Sequence, residues 1–258
     1  MQQTAQSPKT NNTQKTLAIV YKSKYGATKK YAKWLAQAIK NMKNTQESAK
    51  KASEKKDVAK NQTIQKNIKN AKNSPIHCIN CDIYDAKDML AQALNPYQII
   101  IFAGALYGGE LSIVASLKDF LASQKNATNA TKAQKSTKST QNPKYATKTS
   151  KIYPNIAQIY CLIIGLSSPK NALNYQKALD KNLTNDEQKG IRFYFLQGGI
   201  DFDKLDSGDR ARMEAYRAML SAKEDKTPEQ EALLKNQKLD FARKDLLEPI
   251  IDEIINAQ

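Results

Sequence analysis

The sequence predicts an α/β protein with three layers, in which a doubly wound, five-stranded parallel sheet of order 2-1-3-4-5 lies between two layers of helices. Two observations lead to this prediction. Short, nearly continuous apolar runs recur along the chain, and such runs are typical of strands buried on both faces. Helical patterns separate these runs, as in parallel sheets built from right-handed crossovers. A ligand of such a fold lies over the carboxyl ends of the strands, where the strand order reverses.

The first strand is predicted at 16–21, where the chain reads TLAIVY, and the next helix at about 27–42, whose apolar side chains share one face. The other strands are predicted at 76–83, 97–102, 156–164 and 191–196. The other helices are predicted at about 85–94, 111–122, 172–179, 207–222, 228–236 and 243–256. We therefore expect a single domain over 16–258, with a flexible segment 1–15 before it and an extra helical segment at about 203–236.

Two lysine-rich segments interrupt this domain, at about 42–74 and 123–152. The first contains nine Lys and three acidic residues, and the second contains seven Lys and no acidic residue. They carry most of the formal net charge of +16, so the rest of the chain is close to neutral. Nucleic-acid sites combine basic with aromatic side chains, which these segments almost lack, and we expect no nucleic-acid partner. The composition favours solvated loops, and segments that are attracted to an anionic membrane surface are the alternative.

Composition also bears on the compartment. The cysteines Cys78, Cys81 and Cys161 form no disulfide framework, which is usual in a reducing compartment. The apolar runs are shorter than the roughly 20 residues of a transmembrane helix, and the polar N-terminus lacks the apolar region of a signal peptide. We expect a cytoplasmic protein, with peripheral contact at the inner face of the membrane left open and no particular oligomeric state predicted.

The loop after the first strand is a candidate phosphate site. It comprises Ser23, Lys24, Tyr25, Gly26, Ala27 and Thr28. A phosphate here meets free N–H groups and the positive end of the helix dipole, and Ser23 and Thr28 supply hydroxyl donors. The loop lacks the Lys-Ser/Thr pair of a triphosphate loop and the three glycines of a dinucleotide fingerprint. A single phosphate fits best, and on local sequence alone an ordinary N-capped turn is an equal alternative.

The loops after the third and fourth strands are candidates for the rest of the ligand site. The first comprises Gly104, Ala105, Leu106, Tyr107, Gly108 and Gly109. Glycines admit a flat ring system against the main chain, and Tyr107 is a candidate to stack on it. The alternative is a flexible turn with an exposed tyrosine. The second comprises Gly165, Leu166, Ser167 and Ser168.

These loops resemble those of flavodoxins. The segment IVYKSKYGATKKYAKWLA is similar to the FMN-phosphate signature Thr/Ser-x-Thr-Gly-x-Thr, and Ser23, Gly26 and Thr28 match it. Tyr25 departs from the signature, which has Thr there, so one phosphate hydrogen bond is in doubt although the backbone N–H remains. The segments IIIFAGALYGG and IYCLIIGLS resemble the second and third flavin loops. The resemblance implies a flavodoxin-like fold with FMN as its cofactor.

A narrower resemblance is to the menaquinone-dependent protoporphyrinogen IX dehydrogenase family. The loop GALYGG is followed by a helix ending LKDFL, FLQGGIDFDKL follows the fifth strand, and a basic amphipathic stretch precedes the last helix. This implies an FMN-dependent enzyme of haem biosynthesis that oxidises protoporphyrinogen IX, or a similar reduced substrate, with a quinone as acceptor. Because such a substrate carries carboxylates, Arg210, Arg212 and Arg217 are candidates to bind it. The alternative is a surface helix that packs Met213 and Tyr216 into the domain.

Two other functions remain as alternatives. One is a flavodoxin-type electron carrier, although carriers are usually acidic and this chain is basic. The other is a degenerate flavodoxin-fold binding protein, which the departure at Tyr25 favours. We expect no catalytic side chain, because His77 is the only histidine and the thiols of Cys78 and Cys81, three residues apart on a strand, point to opposite faces. We also predict no metal site.

Overall fold

The computed structural model describes residues 16–54, 80–135, 156 and 158–256. The predicted N-terminal segment 1–15 and the later parts of both lysine-rich segments lie outside these residues, as do His77 and Cys78. Expectations about them stay predictions.

Parallel strands build the main sheet. In chain order the strands are β1 (Thr16–Lys22), β2 (Asn80–Asp85), β3 (Ile99–Tyr107), β4 (Glu110–Leu111), β5 (Gln158–Gly165), β6 (Ile191–Gln197), β7 (Gly199–Asp201) and β8 (Lys238–Asp240). The parallel neighbours follow the order β2-β1-β3-β5-β6, and β4 only pairs antiparallel with the end of β3. The five parallel strands therefore have the predicted order 2-1-3-4-5. This is the order of flavodoxin-like folds, and the predicted fold class is confirmed.

Helices cover both faces of this sheet. In the described residues they are α1 (Ala27–Glu54), α2 (Val114–Lys135), α3 (Ala172–Asn182), α4 (Asn185–Gln188), α5 (Ser207–Ser221), α6 (Pro228–Lys235) and α7 (Glu248–Asn256). Alternate residues of a strand point to opposite faces. Leu17 and Ile19 therefore join the core cluster beneath α1 and α7, whereas Ala18 and Val20 join the cluster beneath α2 and α3. The result is a three-layer sandwich.

The helix predicted at 85–94 is wrong. The structure has only a short 3₁₀ helix there, at Ala91–Leu94. The side chain of Asp85 accepts a hydrogen bond from the Lys87 N–H at 3.2 Å, and such a local bond favours a turn over the first turn of a helix. Leu90, whose apolar side chain suggested a helix face, is 74% exposed.

Two helices extend beyond their predicted ends. α1 continues past 42 and α2 past 122, into the first residues of the lysine-rich segments. The extension of α1 is rich in Lys, Glu, Gln and Ala, which are strong helix formers even without an apolar face. α2 also begins at Val114 instead of 111, because Glu110–Leu111 pair with the end of β3 as β4.

Two further bounds differ from the prediction by five residues. β3 continues past 102 to Tyr107, because its last residues pair with β5 and β4. Most of the predicted second loop is therefore strand. α7 begins at Glu248 instead of 243. Pro249 lies in its first turn, where the missing N–H of proline has no helical partner to lose.

Residues 199–240 form a small lobe that we call the cap. It contains α5, α6 and an antiparallel pair of strands, β7 and β8, separate from the main sheet. Tyr25 and Leu166 of the main domain pack against the apolar core of the cap. The core itself consists of Ile200, Phe202, Leu205, Leu220 and Leu233. Both cap helices lie within the extra segment predicted at 203–236, whereas β7 and β8 are too short for hydrophobic periodicity to predict.

Candidate functional site

A cavity of about 710 Å³ lies at the carboxyl ends of β1, β3, β5 and β6, the edge where this fold class predicts a ligand. Small-molecule sites usually have volumes of roughly 300–1,000 Å³. All three predicted loops contribute to its wall, through Ser23, Tyr25, Ala27, Thr28, Ala105, Leu106, Tyr107, Gly108, Gly109, Gly165, Leu166 and Ser167. The structure thus brings together three segments that are far apart in the sequence.

The corner formed by the first loop has the features of an anion site. Gly26 has a φ of +98°, which lets the chain turn from β1 into α1, and its N–H donates to Ser23 Oγ at 3.1 Å. Thr28, in the first turn of α1, is 1% exposed and lines the cavity. Its Oγ1 is buried and has no hydrogen-bond partner among the described residues. Burying an unsatisfied polar group costs about 1–3 kcal/mol, so a ligand acceptor at this corner would be stabilising.

The second loop is a tight hairpin between β3 and β4. It turns at Gly108 and Gly109, whose φ values are +55° and +82°, a conformation that favours glycine. The buried side chain of Asn182 fixes this hairpin, because it donates to Gly109 O at 2.6 Å and accepts from the Leu111 N–H at 2.8 Å. A side chain of α3 therefore sets the position of this part of the cavity wall.

Some predicted cofactor residues of the three loops do not line the cavity, namely Lys24, Gly26, Gly104 and Ser168. Gly104 faces Ile113, the residue before α2, and an added Cβ would lie 2.6 Å from Ile113 Cγ2, so glycine is needed there for packing. Ser168 Oγ accepts from the Lys170 N–H at 3.4 Å within its own turn.

Two side-chain donors hold the third loop in place. The Tyr175 hydroxyl donates to Ser167 O at 2.7 Å, and Gln197 donates to Leu166 O at 3.1 Å. The Tyr175 ring also stacks on Phe195, with ring centroids 4.2 Å apart. Burial raises the pKa of Tyr175 to about 12, so its hydroxyl stays protonated and donates at neutral pH.

Two tyrosines of the cavity wall contact each other. The rings of Tyr25 and Tyr107 meet edge to face, with centroids 6.1 Å apart and planes at 84°. Partial burial, assisted by the nearby Tyr25, raises the pKa of Tyr107 to about 12. Because Tyr107 is still 37% exposed, its neutral ring presents apolar surface to the cavity and to solvent.

Lys24 and Tyr25 join the first loop to the cap. Lys24 Nζ lies 2.5 Å from Asp206 Oδ2 and 2.6 Å from Asp209 Oδ2, and the Tyr25 hydroxyl donates to Asp209 Oδ2 at 2.6 Å. The hydrogen bond from the Lys24 ammonium holds the pKa of both carboxyl groups below its ordinary value, and the bond from Tyr25 adds to this at Asp209. The cap therefore neutralises Lys24, and neutral donors remain at the corner formed by the first loop.

The three predicted substrate arginines occupy different positions. Arg210 donates to Phe202 O at 2.8 Å, and Arg217 donates to Leu234 O at 2.8 Å with its guanidinium 4.4 Å from the centroid of the Phe202 ring. Residues two helical turns apart share a face, so both point into the cap. Arg212 lies on another face of α5 and lines the cavity. Of the three, Arg212 alone faces the cavity.

Part of the cavity wall comes from residues that sequence reasoning missed. They are Glu110, Ile164, Tyr175, Gly198, Gly199, Ile200, Leu205, Asp209, Met213 and Tyr216. The Gly198-Gly199 pair directly after the fifth strand was the available signal. An added Cβ at Gly198 would lie 2.7 Å from Ile164 Cγ2, so only glycine fits the close approach. Met213 and Tyr216 also pack against the cap core, which agrees with the alternative interpretation of this helix.

Other kinds of site receive no support in the part of the chain that the structure describes. No group of His, Cys, Asp and Glu there could hold a metal ion. Within 16–54, 80–135 and 158–256, no helix is long and apolar enough to cross a membrane. Burial raises the pKa of the Cys161 thiol to about 12, which leaves it protonated and unreactive.

Solved structures match the chain at low identity and low TM-score. A flavodoxin from the domain Archaea is 10% identical over 76% of this chain and 90% of its own, with a TM-score of 0.33. A WrbA-like flavodoxin from Agrobacterium tumefaciens is 14% identical over 86% and 93%, with a TM-score of 0.34. A Fusobacterium nucleatum flavodoxin mutant bound to flavin mononucleotide is 11% identical over 74% and 72%, with a TM-score of 0.29.

No protein-family model matches the chain, and no curated protein matches it. The assignment of a flavodoxin-like fold rests on the strand order of this structure itself.

Proposed function

We propose that this chain is an FMN-binding oxidoreductase whose cofactor lies in the cavity at the carboxyl edge of the sheet. The buried Thr28 Oγ1, which has no hydrogen-bond partner among the described residues, carries the proposal, because Thr28 lies in the first turn of α1 and is one of the residues that line the cavity. A phosphate at that corner gives the hydroxyl an acceptor and meets the free N–H groups of the helix N-terminus. When bound, FMN supplies the two-electron redox chemistry.

The chain itself supplies binding, orientation and exclusion of water. Ser23 and Thr28 are the hydroxyl residues at the phosphate corner, and the glycine-containing segments 105–109 and 165–167 offer main chain and apolar surface to a flat ring. Met213 and Tyr216 of the cap also line the cavity. In this proposal none of these groups must gain or lose a proton for the flavin to react.

Thr28→Val tests the phosphate corner. Valine keeps the branched shape of the side chain and removes the unsatisfied hydroxyl, so without cofactor we expect the unfolding free energy to rise by about 1 kcal/mol. With FMN present we expect the dissociation constant to rise about tenfold, because a charge-assisted hydrogen bond is lost. Urea unfolding and a fluorescence titration with FMN measure the two effects.

Thr28→Ser is the matched control, because it keeps the hydroxyl and is expected to bind FMN like the native chain. Equal FMN affinity in the native chain and the valine variant would contradict the phosphate corner. A purified chain with no flavin absorbance and no uptake of added FMN would remove the proposed function altogether.

For the substrate, we infer from the sequence resemblance that protoporphyrinogen IX, or a similar reduced compound, gives up electrons and protons in pairs to a quinone such as menaquinone. The cap supports a second ligand, since Ile200, Leu205 and Met213 extend the cavity with apolar surface and Arg212 adds a cation at its rim. An assay of protoporphyrinogen oxidation with a menaquinone analogue separates this enzyme from a flavodoxin-type carrier, which shows no such turnover. Arg212→Leu should lower the turnover of the substrate while FMN stays bound. Unchanged turnover would mean that Arg212 does not bind the substrate.

One observation favours a second candidate, a flavodoxin-fold binding protein without flavin. The Tyr25 hydroxyl, at the position where the signature has Thr, is bonded to Asp209 of the cap. It is therefore directed to the cap and away from a phosphate. The FMN titration of the native chain decides between the two candidates.

A further inference from the structure

We propose that Asp209 is a positioning residue for the phosphate corner, which it holds in place from the cap through Lys24 and Tyr25. This inference rests on the proposed FMN site. It adds a residue outside the three loops, on a helix that the phosphate signature does not include.

The two carboxylate oxygens of Asp209 serve two different parts of the molecule. Oδ2 accepts hydrogen bonds from Lys24 Nζ and from the Tyr25 hydroxyl, each at 2.6 Å. Oδ1 accepts from Arg212 at 2.9 Å. One side chain thus links the loop after β1 to the arginine at the cavity rim.

Asp209 is itself fixed. It lies in the first turn of α5, where its N–H donates to the side chain of the N-cap residue Asp206 at 2.8 Å. Its side chain is 12% exposed, whereas that of Asp206 is 54% exposed. Contacts of a largely buried carboxylate are less screened by water. Of the two acids, Asp209 therefore interacts more strongly with the loop after β1.

Apolar contacts also hold Tyr25 in place. The Tyr25 ring packs against the core of the cap and meets the ring of Tyr107 edge to face. Tyr25 is thus held at its hydroxyl and along its ring, and with it the main chain that leads into Gly26. Ordering this segment before the phosphate arrives reduces the entropy that binding must overcome.

A carboxylate near a phosphate also repels it, and the two effects oppose each other. In this cluster Asp206 and Asp209 face Lys24 and Arg212, so the formal charges cancel. Removing Asp209 leaves this cluster with a formal charge of +1, which by itself attracts a phosphate. We expect the loss of position to outweigh this attraction, and Tyr25→Phe tests the loss of position without the change in charge.

The experiment compares ligands with and without the phosphate. FMN and riboflavin are titrated against the native chain, Asp209→Ala and Tyr25→Phe, and inorganic phosphate is titrated as a competitor of FMN. Glu214→Gln is the matched control, because Glu214 is an exposed acid on the same helix. Tyr25→Phe removes the bond to Asp209 without a change in charge.

We expect both test variants to raise the FMN dissociation constant about tenfold, to weaken competition by phosphate, and to leave riboflavin binding unchanged. The control should match the native chain throughout. Tighter FMN binding by Asp209→Ala would mean that Asp209 acts by repulsion, and equal weakening of FMN and riboflavin would mean general damage to the cap. Either result overturns the role of Asp209 but leaves the proposed FMN site standing. If the native chain takes up no FMN, both the role of Asp209 and the proposed function are overturned.

Discussion

The main sheet and the cap are held together by different interactions. The central strands β1, β3 and β5 are buried on both faces, and two large apolar clusters flank the sheet. The cap has a small core of its own, and polar contacts through Lys24, Arg210 and Arg217 fix its position and internal packing. Burial stabilises over a wide range of pH and salt, whereas exposed ion pairs are weak and screened. The sheet is thus the stable support, and the cap is the part whose position responds to conditions and ligands.

The largest effect is expected in the sheet. Phe102 is fully buried in β3 and packs on Phe120, with ring centroids 5.5 Å apart. Phe102→Ala should lower the unfolding free energy by about 3–5 kcal/mol, a large part of the roughly 5–15 kcal/mol of a typical domain. Urea unfolding followed by circular dichroism measures this. A loss below about 1 kcal/mol would mean that the sheet core is not the main source of stability.

A smaller and more local effect is expected in the cap. Leu233 is 4% exposed and belongs to the cap core. Leu233→Ala should cost about 2–3 kcal/mol, most of it as easier opening of the cap. Hydrogen exchange measures this, and we expect faster exchange in α5 and α6 with little change in α2 and α3. Equal acceleration in β3 and β5 would show that the cap and the sheet open as one unit.

The smallest effect is expected from pH. Lys24 lowers the pKa of Asp206 and Asp209 in the folded protein. Such groups contribute stability above their unfolded pKa of about 3.9 and lose it as the pH falls through the folded value. The contact between cap and loop should therefore stay constant between about pH 5 and pH 8 and weaken below about pH 4.

An NMR titration of the α5 amide signals measures this. The effect is small because Lys24 and Asp206 are 48% and 54% exposed, so water screens them. In Lys24→Ala the carboxyl groups should titrate nearer their ordinary pKa, and an unchanged titration would mean that Lys24 is not their main partner.

The same contrast explains what the sequence could predict. Strands such as Ile99–Tyr107 are long apolar runs, so their burial could be predicted from local composition. The strand order was predicted from the alternation of strands and helices, which is typical of doubly wound folds, and the structure has this order. The helix at 85–94 failed because the side chain of Asp85 bonds to the Lys87 N–H. A single local hydrogen bond of this kind is stronger than a weak apolar pattern.

Only the part of the site that is formed by loops following strands of the main sheet could be predicted from the sequence. The loops after β1, β3 and β5 follow from the strand order, and most of their residues line the cavity. Asp209, Met213 and Tyr216 come from a helix whose position depends on tertiary contacts with Tyr25 and Leu166. Arg210 and Arg217 likewise had the right chemistry for a substrate, but they donate to main-chain carbonyls inside the cap.

The pairing of β7 with β8 has a consequence for how this protein could change over evolution. Gly199 pairs with Asp240, and the Phe241 N–H donates to Gly198 O at 2.9 Å. The chain therefore leaves the main domain and returns to it at one point. A segment whose two ends lie side by side can be lengthened, exchanged or deleted without a change in the order or pairing of the strands. The cap side of the cavity can thus vary without a change in the sheet, as long as the contacts of Asp209 with Lys24 and Tyr25 are kept.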